Sequence, residues 1–212
     1  MIGLVLLASI GCDGSGSTDI DHDPAACPTW LGIEEGRQWF YQTQDDTAPE
    51  AVQTVTGLEN SVLFTRSGTQ VTGDTELATR IELEGRCSTE GFERVREGVY
   101  LLVEDLDGEI EETVQVETSY IRRPLTMPVD AQPGDAWTAN VSGKTVAAGQ
   151  ADSEWTQTWE FSLGEAEAFT LDGAQVQIVP RNETNSVYPT WFAANVGMVM
   201  DNSGNLTLTR VE

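Results

Sequence analysis

The sequence has few basic side chains and almost no lysine or histidine. Of its 212 residues, 11 are Lys or Arg and 35 are Asp or Glu, so the formal net charge is -24. Nucleic-acid binding requires a basic stripe that displaces counterions, and adhesion to anionic lipid headgroups requires similar charge. The composition therefore argues against both. The acidic residues are spread along the chain, as they are on a solvated surface.

The lack of imidazole also excludes several classes of catalytic site. His22 is the only histidine, and it stands in a polar stretch typical of a linker, so Ser–His–Asp and Cys–His hydrolases have no positioned base. The sequence contains no C-x-x-C pair for zinc and no glycine-rich loop followed by lysine for a nucleotide. We therefore expect no catalytic residue, metal or cofactor, although paired carboxylates remain an alternative among so many acids.

One acidic run, residues 104–112, looks like part of a calcium-binding loop. Aligning Gly108 with the loop glycine places Val103 and Val114 at the two end ligand positions, so both end ligands are missing. The stretch instead predicts two strands, over residues 100–103 and 114–116, joined by a tight turn at Asp107 and Gly108.

Long hydrophobic runs are absent as well. The apolar stretch 2–10 is about half of what a bilayer-spanning helix needs, which leaves a signal-type segment. Its last residues belong to the sequence LASIGC, which ends at Cys12. A Gly/Ser-rich stretch follows. This resembles the lipobox of bacterial lipoproteins. The resemblance implies a signal peptide at 1–11, a lipidated Cys12 and flexible linker over 12–26, and a protein held at the membrane of the cell envelope, on the periplasmic or cell-surface side.

Three cysteines are an odd number for an exported chain. If Cys12 is acylated, Cys27 and Cys87 remain and are expected to pair in an oxidising compartment. A bridge over about 60 residues would stabilise the fold by about 3–4 kcal/mol. Two buried free thiols are the alternative.

Residues 27–212 are expected to form a single β-rich domain. Period-2 alternation recurs, for example over 77–84 and in the shared strand face of Trp155, Trp159 and Phe161. Turn signals recur about every ten residues, at 72–74, 107–108, 172–173 and 202–205. The pattern predicts an all-β fold: an antiparallel, strongly curved sheet of many short strands, forming a partly closed barrel or a sandwich. Short helices are expected only near 165–168 and 190–195.

Two stretches share a G-x-x-W pattern that leads into a strand, Gly36 to Trp39 and Gly134 to Trp137, and the sequence WFAANVGMV begins at Trp191. Together these resemble uncharacterised β-rich bacterial lipoproteins. The resemblance implies a shared fold and export, and it carries no catalytic residues.

The expected function is a non-catalytic binding or structural module of the cell envelope, with an unknown protein or small molecule as its partner. Two alternatives stay open: a carrier of an apolar ligand in a concave sheet, and a carbohydrate-acting enzyme with paired carboxylates beside exposed tryptophan. An exposed aromatic pair at Trp191 and Phe192 is the candidate ligand contact.

Intact mass of the protein extracted from membranes tests the anchor and the disulfide together. We expect a chain that begins at Cys12 and carries acyl groups, and we expect reduction to add the mass of the two hydrogens that a disulfide lacks. An unmodified full-length chain with free thiols would contradict both expectations.

Overall fold

The computed structural model describes residues 22–43, 51–57, 59–72, 75–104, 110–184, 186–201 and 206–212. Strands dominate these residues, together with two short 3-10 helices, η1 (Pro24–Ala26) and η2 (Thr29–Leu31). The strands are β1 (Gln38–Thr43), β2 (Ala51–Thr56), β3 (Val62–Thr72), β4 (Thr75–Ser88), β5 (Gly91–Glu104), β6 (Ile110–Arg122), β7 (Leu125–Pro128), β8 (Ala136–Ala147), β9 (Ser153–Leu163), β10 (Glu167–Leu171), β11 (Ala174–Glu183), β12 (Thr190–Ala193), β13 (Gly197–Met200) and β14 (Leu206–Val211).

The strands form one antiparallel meander that closes on itself. β14 pairs with β1, so the last strand meets the first, and β9 pairs with β11, which gives a barrel of twelve strands. β7 pairs with β5 beyond the end of β6, and β10 pairs with β11 beyond the end of β9. Both short strands therefore extend the barrel wall where a longer strand stops. The predicted all-β, antiparallel, curved architecture is confirmed, and the sheet closes as a barrel.

The hairpin signals fall between paired strands. Asp172 and Gly173, with φ values of 46° and 76°, turn β10 into β11 as predicted. The predicted strands at 100–103 and 114–116 lie in the paired β5 and β6. The turn at Asp107 and Gly108 and the turn residues at 73–74 and 202–205 lie outside the described residues.

Both predicted short helices are wrong. Residues 165–168 leave β9 and enter β10, where Glu167 pairs with Ile178. Residues 190–193 form β12, which pairs with β11 and β13. Hairpin pairing with the neighbouring strand β11 overrides the helical propensity of the Glu-Ala-Glu-Ala stretch, as tertiary context routinely does.

Cys27 and Cys87 form the predicted disulfide, which ties the first described residues to β4. The backbone NH of Cys87 donates to Nδ1 of His22 at 3.0 Å, and the NH of Asp23 donates to the Cys87 carbonyl at 2.9 Å. Residues 22–26 were predicted as linker, but these contacts place them against the barrel wall. His22 is partly buried there and has a structural partner.

The two G-x-x-W stretches have the same local structure. Gly36 and Gly134 have positive φ values of 78° and 94°, and each tryptophan is the second residue of its strand. The indole of Trp39 donates to the Val196 carbonyl at 2.5 Å, and that of Trp137 donates to the Leu125 carbonyl at 2.8 Å. The first motif therefore contacts the turn inside the WFAANVGMV segment, and the second contacts β7. Both motifs thus have a structural role.

The predicted aromatic face of β9 is confirmed. The Trp155 and Trp159 rings stack 5.9 Å apart, and Trp159 also contacts the ring of Phe161. They belong to a buried cluster with Tyr120 and Val141. Among the described residues, the structure has no helix long and apolar enough to cross a membrane.

Candidate functional site

The barrel contains a half-open cavity of about 340 Å³. Its size lies at the lower end of the range for small-molecule pockets, about 300–1,000 Å³. Aliphatic and aromatic side chains of β3, β4, β5 and β12 form much of the wall: Phe64, Ile81, Leu83, Phe92, Val99 and Phe192. The cavity is therefore able to accept an apolar group.

The strand register places charged and apolar side chains side by side on this inner face. Leu83 of β4 lies opposite Glu97 of β5, which lies opposite Thr118 of β6. In the next row, Arg66 of β3 lies opposite Ile81 of β4. Directly paired residues of antiparallel strands point to the same face, so polar groups enter the cavity within an apolar wall.

A buried cluster of two arginines and one glutamate lies at this wall. Arg94 Nη1 and Nη2 donate to Oε1 and Oε2 of Glu183 at 3.2 and 2.8 Å, a bidentate pair. Arg181 Nη2 donates to the same Oε2 at 3.2 Å, and its Nη1 donates to the Thr126 carbonyl at 3.3 Å. The Glu183 carboxylate thus accepts hydrogen bonds from two guanidinium groups.

Both guanidinium groups make cation–π contacts with aromatic rings. Arg94 lies over the ring of Trp159 at 5.8 Å. Arg181 lies between two rings, at 5.2 Å from the centroid of Phe192 and 5.9 Å from that of Phe161. Such cation–π contacts fix the orientation of a desolvated guanidinium as well as stabilising its charge.

The electrostatics of the three groups differ because Glu183 pairs with both arginines, whereas Glu97 lies within ion-pair distance of Arg94. Burial alone would raise the pKa of Glu183, but the charges of Arg94 and Arg181 outweigh burial and lower it. Burial alone would lower the pKa of Arg94, but Glu183 and Glu97 outweigh it and raise that pKa. For Arg181, burial and the charge of Arg94 prevail and lower the pKa to about 10. The positive charge of Arg181 is thus less well compensated than that of Arg94, yet Arg181 stays protonated at neutral pH.

The other interior carboxylates are also partnered. Glu97 accepts a hydrogen bond from the Tyr120 hydroxyl at 2.7 Å and lies 3.6 Å from Arg94. Asp201 lies 3.8 Å from Arg66. A glycosidase acid needs a raised pKa, whereas the pKa of Glu183 is lowered. The cluster is therefore better arranged to hold charge than to transfer protons.

The structure separates the two residues predicted as a ligand contact. Phe192 is 5 % exposed and lines the cavity, with its ring against Arg181. Trp191 points to the opposite strand face, where it is paired with Pro180 and Met200. They are not an exposed pair, because successive residues of β12 alternate between the inside and the outside of the barrel. Cys12, the predicted lipidation site, lies outside the described residues.

Within the described ranges, no group of three or more His, Cys, Asp or Glu side chains is arranged to hold a metal ion. The chain matches no family model, no curated protein and no solved structure. The chemistry of the cavity is therefore argued from its own residues.

Sequence reasoning missed Arg94, Arg181 and Glu183. In β11 the alternation of Ala174, Val176 and Ile178 predicts that odd-numbered residues face water. In fact both Ile178 and Val179 are buried, and Arg181 follows Val179 onto the inner face. An arginine and a glutamate two residues apart are typical of a solvated strand, so no local signal marks them as buried.

Substitution of Arg94 tests the charge cluster. Arg94→Met leaves Glu183 with the weaker hydrogen bond from Arg181 alone, so we expect a loss of about 3–5 kcal/mol in the free energy of unfolding. Arg96→Met is the matched control, because Arg96 is on the same strand but partly exposed in its ion pairs with Glu82 and Glu117, where about 0–1 kcal/mol is expected. Urea unfolding measures both, and equal losses would contradict the assignment.

Proposed function

We propose that this chain is a non-catalytic binding protein of the bacterial cell envelope that holds a small, largely apolar molecule inside its barrel. The observation that carries the proposal is the interior cavity of about 340 Å³. Protein interiors are normally packed as densely as organic crystals, and voids larger than a water molecule are few. A space of this size, bounded by aromatic and aliphatic side chains, suits a ligand.

The proposed location rests on the lipobox-like sequence that ends at Cys12. The Cys27–Cys87 disulfide supports it, because structural disulfides persist in oxidising compartments and are rare in the cytosol. In this proposal acyl groups on Cys12 hold the barrel at a membrane surface, and the segment before His22 serves as the tether.

Binding of an uncharged apolar dye tests the function. N-phenyl-1-naphthylamine fluoresces in apolar surroundings, and we expect saturable binding of one dye per chain to the full sequence carrying Cys12→Ser, which takes no acyl group. Val116 lines the cavity, so Val116→Trp, or the smaller insertion Val116→Phe, is expected to weaken binding at least about tenfold by filling the space.

Ile121→Trp is the matched control for the dye experiment. Ile121 is on the same strand, β6, but is 68 % exposed, so its substitution is expected to leave dye affinity unchanged. Circular dichroism verifies that each variant is folded. Absence of saturable binding to the parent protein, or equal binding by a folded Val116→Phe variant, would overturn the proposal.

A further inference from the structure

Arg181 is a buried cation whose hydrogen bonds are incomplete. It is 7 % exposed and lines the cavity, and its Nε has no partner among the described residues. A guanidinium offers five N–H donors. The acceptors that Arg181 has, one carboxylate oxygen and one carbonyl, lie at 3.2 and 3.3 Å, which is long for charge-assisted bonds.

The ion pair within the fold does not require Arg181. Glu183 already accepts two hydrogen bonds from Arg94, in the bidentate geometry that best satisfies a buried carboxylate. Arg181 adds a second positive charge to the same site, and burying an under-compensated charge is costly. A residue that destabilises the empty fold is expected at a functional site.

The guanidinium of Arg181 is also held in a defined orientation before any ligand arrives. The rings of Phe161 and Phe192 lie on it, and the Thr126 carbonyl fixes one of its nitrogens. A binding group held in this way loses little conformational freedom when the ligand binds, so more of the interaction appears as affinity.

From this geometry we propose that the cavity binds a single-chain carboxylate, with its carboxylate on the Arg181 guanidinium and its alkyl chain along the wall that includes Phe64, Ile81 and Leu83. The inference rests on the proposed binding function and names its ligand class. A carboxylate matches the planar donor edge of a guanidinium and offers acceptors to the Nη hydrogens of Arg181 that the fold leaves unused.

The surrounding charges favour a monoanion over a phosphate. Glu97, Glu183 and Asp201 lie at or beside the same cavity, and the chain carries a net charge of -24. A doubly charged headgroup would meet these carboxylates beside an apolar wall, where like charges repel more strongly than in bulk water. A monoanion brings only one negative charge to the poorly hydrogen-bonded Arg181, so it meets less of this repulsion than a phosphate does.

Three ligands with the same twelve-carbon chain and different headgroups test the proposal: dodecanoate, dodecan-1-ol and dodecyl phosphate. Each displaces N-phenyl-1-naphthylamine from the full chain carrying Cys12→Ser, below its micellar concentration. We expect dodecanoate to bind at least about tenfold more tightly than the other two, since a hydrogen bond to a charged group contributes about 1.5–3 kcal/mol. Tighter binding of the phosphate or equal binding of the alcohol would overturn the ligand class.

Variants of Arg181 test the residue itself. We expect Arg181→Met to lose about 10- to 100-fold in dodecanoate affinity and to keep the parent affinity for dodecan-1-ol and for the dye, whereas Arg96→Met changes none of these. Without ligand, Arg181→Met is expected to unfold at the same or a higher temperature than the parent. Unchanged dodecanoate affinity, or a fall in Tm as large as that of Arg94→Met, would show that Arg181 is structural.

The two proposals fail in distinguishable ways. If the parent protein takes up no dye, the binding function fails. If it takes up dye and alcohol but dodecanoate gains nothing from Arg181, the binding function stands and the carboxylate assignment fails.

Discussion

The pairing of β1 with β14 is the constraint on which the rest of the structure depends. A meander of this length has two free edges unless its ends meet, and unpaired edges expose backbone donors and acceptors. β1 supplies more than backbone pairing, because the Trp39 indole and the Tyr41 hydroxyl donate to the carbonyls of Val196 and Met198. At Gly32 any side chain would collide with the backbone of Val196, so the 3-10 turn before β1 packs directly on the segment before β13. Closure turns one face of every strand into an interior.

Burial inside the barrel raises the free-energy cost of a charged side chain. On an open sheet, Arg94, Arg181 and Glu183 would be solvated, and their ion pairs would contribute little. Inside the barrel each must be compensated, and the described structure compensates Arg94 and Glu183 better than Arg181. The same closure creates the apolar cavity beside them. The apolar space and the under-compensated cation therefore share one origin, and together they form the proposed binding site.

The fold class was predictable from the sequence, whereas the site was not. Alternation in Ile81 and Leu83, the aromatic face of β9 and the turn at Asp172 are local signals, and each predicted its structure correctly. The Cys27–Cys87 bridge followed from cysteine number once Cys12 was assigned to lipid. Burial of Arg94 and Arg181 depends instead on strands far apart in sequence, β5, β9, β11 and β12, that meet only after closure. The short-helix predictions failed for a more local reason, since pairing with the neighbouring strands β11 and β13 decided those segments.

In the proposed complex, a negatively charged ligand group completes the hydrogen bonding of Arg181 inside the barrel. A high-resolution crystal structure of the full chain carrying Cys12→Ser, grown with dodecanoate, tests this most directly. We expect electron density in the cavity, with a carboxylate within hydrogen-bond distance of the Arg181 guanidinium and an alkyl chain against Phe64 and Leu83. Density with the carboxylate turned away from Arg181 towards solvent, or an empty cavity at saturating ligand, would contradict it.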